Sequence, residues 1–88
     1  MDEHAARVVD GVLAMIDRFE LGAASVADLQ VSAEGAAGAL DNSNVGLRPV
    51  LERLDNELER IRFMVSDAER VQAVREATRE LRQLTANS

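Results

Sequence analysis

Leu47-Arg48-Pro49-Val50-Leu51-Glu52-Arg53-Leu54-Asp55-Asn56-Glu57-Leu58-Glu59-Arg60-Ile61-Arg62-Phe63-Met64-Val65 is the stretch that decides the fold. At about 100° per residue, Leu47, Val50, Leu51, Leu54, Leu58, Ile61 and Val65 fall on one face. The spacing predicts a helix from about Leu47 to Val65. Pro49 is tolerated there only in the first turn, where its missing N–H has no intrahelical partner to lose. Phe63 breaks the pattern. It falls roughly 160° from the stripe, beside Glu52, Asn56 and Glu59. Two readings stand for it: a ring folded over the end of the first or fourth helix as part of the core, or an exposed anchor for a partner.

Downstream, Ser66-Asp67-Ala68-Glu69 has the form of a capping box. It opens a fourth helix, about Asp67 to Leu84, with Val74, Ala77, Leu81 and Leu84 facing the core. Thr85 to Ser88 are expected to fray. Upstream, Asp41-Asn42-Ser43-Asn44-Val45-Gly46 is a turn cluster. Before it, a second helix runs from Val26 to about Ala39, with Ser25 as N-cap and Asp28 as a weaker capping-box partner. Gly35 and Gly38 each cost this helix up to about 1 kcal/mol relative to Ala. Their segment carries almost no bulk, which predicts close helix approach and mobility. The first helix spans residues 2–21. Ala5, Val8, Val9, Val12, Leu13, Ile16 and Phe19 form its stripe, and Gly22 is its stop. Four helices on short connections predict an all-α fold, a small antiparallel helical bundle. The alternative is a long third–fourth hairpin with the first two helices folded across it.

Composition narrows the function. The chain has 88 residues, read as a single helical domain over 1–88. It has no Cys, so disulfide and thiol chemistry are excluded. Its net charge is −6, and every basic residue is an arginine. That balance argues against a nucleic-acid partner. No apolar run reaches the roughly 18 residues of a membrane span. The beginning, Met1-Asp2-Glu3-His4, is the reverse of a signal peptide and reads as cytoplasmic.

The charge divides unevenly. Residues 1–47 hold Asp2, Glu3, Asp10, Asp17, Glu20, Asp28, Glu34 and Asp41 against Arg7 and Arg18, while residues 48–88 are neutral overall. The second half offers local opposite-charge pairs at helical spacing: Arg53–Glu57, Glu57–Arg60, Glu59–Arg62, Asp67–Arg70 and Glu76–Arg79. The first half has few such partners. Glu3, Asp10 and Asp17 recur every seven residues along one face. Such a ladder is either the wet side of an amphipathic helix or an anionic docking face extended by Glu20, Asp28, Glu34 and Asp41.

Catalytic and metal readings find little material. The only histidine, His4, sits near the beginning and reads as incidental. One His and no Cys leave no ordinary zinc site. Counted from Asp41, Gly46 and Glu52 occupy the sixth and twelfth places of an EF-hand loop. Ser43, Val45, Arg48 and Pro49 occupy places where that loop needs other residues, so a polar turn is the simpler reading. The expectation is a protein that is not an enzyme and needs no cofactor or metal.

Ile16-Asp17-Arg18-Phe19-Glu20-Leu21-Gly22-Ala23-Ala24-Ser25-Val26-Ala27-Asp28-Leu29 resembles the first helix, glycine turn and capped second helix of small helical immunity proteins. These are the colicin D type and related antidotes of polymorphic and contact-dependent toxin systems. The resemblance implies a protein that binds a cognate toxin domain, often a basic nuclease, and blocks it. On that reading Asp10, Asp17, Glu20, Asp28, Glu34, Asp41 and Phe63 are the candidate partner-binding residues. The later part of the chain lacks the large aromatics of that family. A competing expectation is a homodimeric structural or adaptor protein, joined through the Gly/Ala-rich second helix or the third–fourth hairpin. A small secretion-system substrate or chaperone is a weaker third reading, because the chain has no Trp-x-Gly turn.

Overall fold

The computed structural model describes residues 2–40 and 46–86. They form four helices: α1 (Glu3–Glu20), α2 (Val26–Ala39), α3 (Leu47–Met64) and α4 (Asp67–Ala86). No strand occurs among the described residues. The fold is the all-helical bundle that the periodicity predicts.

Helix ends follow local chemistry. Asp2 lies just outside α1 as its N-cap, accepting from the Ala5 N–H at 2.7 Å. At the other end Gly22 adopts φ +80°, which an L side chain tolerates poorly. There the Gly22 N–H donates to the Phe19 carbonyl (3.0 Å) and the Ala23 N–H to the Arg18 carbonyl (2.8 Å). This is a Schellman ending, and it satisfies carbonyls that the helix itself leaves open. Three residues later the Ser25–Asp28 capping box forms in both directions. Ser25 Oγ accepts from the Asp28 N–H at 3.1 Å, and Asp28 Oδ2 accepts from the Ser25 N–H at 2.9 Å.

Contacts across three helix pairs fix the chain directions. His4, at the start of α1, donates from Nε2 to the Ala39 carbonyl at the end of α2 (3.0 Å). Arg53 of α3 reaches Glu80 of α4, while Arg70 near the start of α4 holds the end of α3. Glu20 and Asp17 of α1 pair with Arg75 and Arg82 of α4. In each case residue numbers fall along one helix as they rise along the other. The neighbours are therefore antiparallel and form a ring in the order α1, α2, α3, α4. The alternative with two helices lying across a hairpin does not occur.

The core runs through the middle of that ring. Val9, Val12 and Ile16 of α1, Leu29 of α2, Leu51, Leu54, Leu58 and Ile61 of α3, and Val74 and Leu81 of α4 are all buried. The α2–α3 seam is the most extensive. Small side chains permit it: Ala33, Ala36 and Ala37 are buried on α2. The glycines do not share that role. Gly35 and Gly38 face solvent, and a Cβ added to either would meet nothing within 4 Å. The close approach expected of the segment from Ala33 to Ala39 is made by its buried alanines.

Several other expectations are corrected. α4 continues through Thr85 and Ala86, and the Thr85 hydroxyl donates to the Arg82 carbonyl at 2.9 Å. Thr78 joins Val74 and Leu81 in the buried face of α4, while Ala77 and Leu84 are only partly covered. The Thr78 hydroxyl is accommodated because it donates to the Val74 carbonyl at 2.8 Å, one turn back. The capping box at Ser66 is not formed: the Glu69 N–H donates to the Ser66 carbonyl rather than to its hydroxyl. His4 is tied to the end of α2 instead of hanging loose. The turn residues Asp41 to Val45, and with them the first five places of the calcium-loop reading, lie outside the described residues.

Candidate functional site

The proposed acidic face is divided by the structure into paired and unpaired groups. Asp17 Oδ1 lies 3.2 Å from Arg82 Nη2, and Glu20 Oε1 lies 3.1 Å from Arg75 Nε. These two carboxylates hold α4 against α1. Asp28 serves its own helix as the capping-box partner. The hydrogen bonds from Ser25 hold its carboxyl below the usual Asp range, and the Arg18 guanidinium adds a smaller effect in the same direction. Asp10 on α1 and Glu34 on α2 are exposed and form no hydrogen bond or ion pair. Asp41 lies outside the described residues. Of the six candidates among the described residues, Asp17, Glu20 and Asp28 are engaged within the molecule, and Asp10, Glu34 and Phe63 are exposed.

Phe63 is not part of the core. It is 69% exposed on the outer side of α3, with the Arg62 guanidinium 5.0 Å from the ring centroid. Such a stack is worth about 0.5–1 kcal/mol at an exposed position. Met64 beside it is 80% exposed. Of the two readings of Phe63, the exposed one describes the structure.

Arginines of the second half do more than pair locally. Glu57–Arg60 and Asp67–Arg70 form as expected, at 3.0 Å and 2.9 Å. Arg53 instead reaches across to Glu80, and Glu76 accepts from Gln72 at 3.4 Å. Glu59–Arg62 and Glu76–Arg79 do not pair. Arg70 also donates to the Arg62 and Val65 carbonyls, at 3.0 and 3.2 Å. It thereby satisfies carbonyls at the end of α3 and secures the turn into α4. Local spacing could not reveal Arg75–Glu20 or Arg82–Asp17, which are 55 and 65 residues apart in the chain. Only the ring order of the helices brings them together.

Two grooves accompany these pairs. One, of about 310 Å³, runs between α3 and α4. Val50, Leu54, Ala73 and Ala77 form its floor, and the Arg53–Glu80 and Arg60–Glu57 pairs stand at its rim. The other, of about 390 Å³, follows α4 past Arg75, Arg79 and Arg82. Neither is lined by His or Cys, and the one hydroxyl, that of Thr78, is spent on its own helix. Among the described residues no cluster of three His, Cys, Asp or Glu side chains could hold a metal ion. No helix among them is long and apolar enough to cross a membrane. Compared with protein-family models, curated proteins and solved structures, the chain has no match.

Proposed function

We propose that this protein acts by binding, neutralising a cationic protein partner in the manner of an immunity or antitoxin protein. The supporting observation is the uneven balance of charge. The chain carries −6 overall, and the cross-helix pairs Arg75–Glu20 and Arg82–Asp17 offset only part of the negative charge of the first half. Asp10 and Glu34 remain exposed and unpaired there. Unpaired surface carboxylates draw a basic partner over distances of about a Debye length and raise its rate of association. A nuclease domain with a basic cleft has the matching chemistry.

The decisive experiment uses co-expression. A basic toxin domain encoded beside this chain should lose its toxicity when the chain is present, and the two should co-purify. Toxicity unaffected by the chain overturns the proposal. The double variant Asp10→Arg with Glu34→Arg should slow association at low salt while leaving the fold intact. Charge reversal at Asp17 or Glu20 would be a poor probe, because it would also break an ion pair between α1 and α4.

A further inference from the structure

The exposed apolar side chains are not scattered. Leu21 follows α1, Phe63 and Met64 end α3, and Val71 lies in the second turn of α4. In an antiparallel ring these positions all belong to one end, that of the α1–α2 and α3–α4 connections. Val31, the other exposed large apolar side chain among the described residues, lies in the second turn of α2. Leu21 is 84% exposed, more than Phe63 or Met64. Aliphatic and aromatic groups gathered in this way mark an interaction surface more strongly than the same groups dispersed.

The charge at this end selects the occupant. Glu20 is bound to Arg75, Asp67 to Arg70 and Glu57 to Arg60. Arg18 adds one positive charge outside any ion pair, and Asp28 and Glu69 add two negative ones. The end is thus nearly neutral in a chain whose total is −6. Two copies can meet here without the repulsion they would meet elsewhere, whereas a strongly basic partner would gain little. Glu59 and Arg62 flank Phe63 on the same helix at spacings of four and one, and neither has an opposite charge as partner. They form a self-complementary pair. Across a two-fold axis near Phe63, Glu59 of each copy would face Arg62 of the other, as isologous contacts require. We infer that this end of the bundle is a self-association surface, with Phe63 and Met64 as apolar anchors and reciprocal Glu59–Arg62 pairs beside them. The inference is independent of the neutralising role proposed above.

Sedimentation equilibrium of the full chain from micromolar to millimolar concentration tests it. The expected result is a shift from 9.6 kDa toward twice that mass as concentration rises. Phe63→Ser, at an exposed site, should weaken the dimer roughly tenfold or more while leaving the circular dichroism unchanged. Glu59→Arg alone and Arg62→Glu alone should each weaken self-association. An equimolar mixture of the two should restore it, because every facing pair is then opposite in sign. A chain that is monomeric throughout overturns the inference. So does a dimer indifferent to Phe63→Ser or a mixture that fails to recover. A monomeric chain that loses a foreign partner on Phe63→Ser also overturns it, and assigns the surface to that partner.

Discussion

The α2–α3 seam and the α1–α4 seam close opposite sides of the same ring by different physics. On the first, Ala33, Ala36 and Ala37 let the helices approach, and six residues of α3 from Leu47 to Ile61 are buried. On the second, α1 and α4 meet chiefly through long side chains, guanidinium to carboxylate, in contact with solvent. α4 buries only Val74, Thr78 and Leu81 along its 20 residues. Apolar burial contributes in proportion to the area removed from water, whereas an exposed ion pair gives about 0–1 kcal/mol and is screened by salt. The lesson is that α3 carries the stability and α4 is the more weakly attached helix.

The contrast is most severely tested in the core. Leu58→Ala should cost about 3–4 kcal/mol by urea denaturation, a large part of the stability of a small domain. Leu81→Ala should cost less, about 2–3 kcal/mol, because its surroundings on the looser seam can relax. Equal losses would break the distinction. Hydrogen exchange provides a second view, with α4 amides expected to exchange faster than those of α3.

Gly35→Ala and Gly38→Ala come next. Each should stabilise the protein by about 0.5–1 kcal/mol, since a Cβ there meets no neighbour and the helix gains propensity. A loss of stability would show that α2 needs its glycines for packing. Removing the second seam's bridges should have a smaller effect. Arg75→Gln or Arg82→Gln should cost about 0.2–1 kcal/mol in low salt, and less in high salt. A penalty as large as that of Leu81→Ala would mean that ion pairs, not burial, hold α4.

The smallest effect concerns pH. Asp28 has a folded-state pKa below its ordinary value, so its contribution to stability is fully present above that ordinary value, near 4. It fades as pH falls through the lowered folded-state value. Asp28→Asn should therefore reduce the acid sensitivity of the denaturation midpoint slightly below pH 4 and flatten that part of the profile. An unaltered profile would remove the capping box from the list of acid-sensitive groups.

Much of this fold is legible in one dimension. The stripe in Leu47 to Val65 identifies α3, Gly22 stops α1, and Ser25 with Asp28 opens α2, because each depends on residues within a turn of one another. The site was less legible. Asp17 and Glu20 read as free carboxylates until the ring placed Arg82 and Arg75 opposite them. Phe63 could be located off the apolar stripe, but whether a neighbouring helix covered it depended on packing. His4 looked incidental because its partner, the Ala39 carbonyl, lies 35 residues away.

The sequence alone determined the helices, most of their ends and the side of each that turns inward, since these follow from a period of 3.6 residues and from short-range hydrogen bonds. It also determined the excess of negative charge. Only the tertiary structure decided which of those charges are spent within the molecule and which stay exposed and unpaired. Electrostatic pairing acts over a few ångströms in space, and the distance along the chain does not predict that separation.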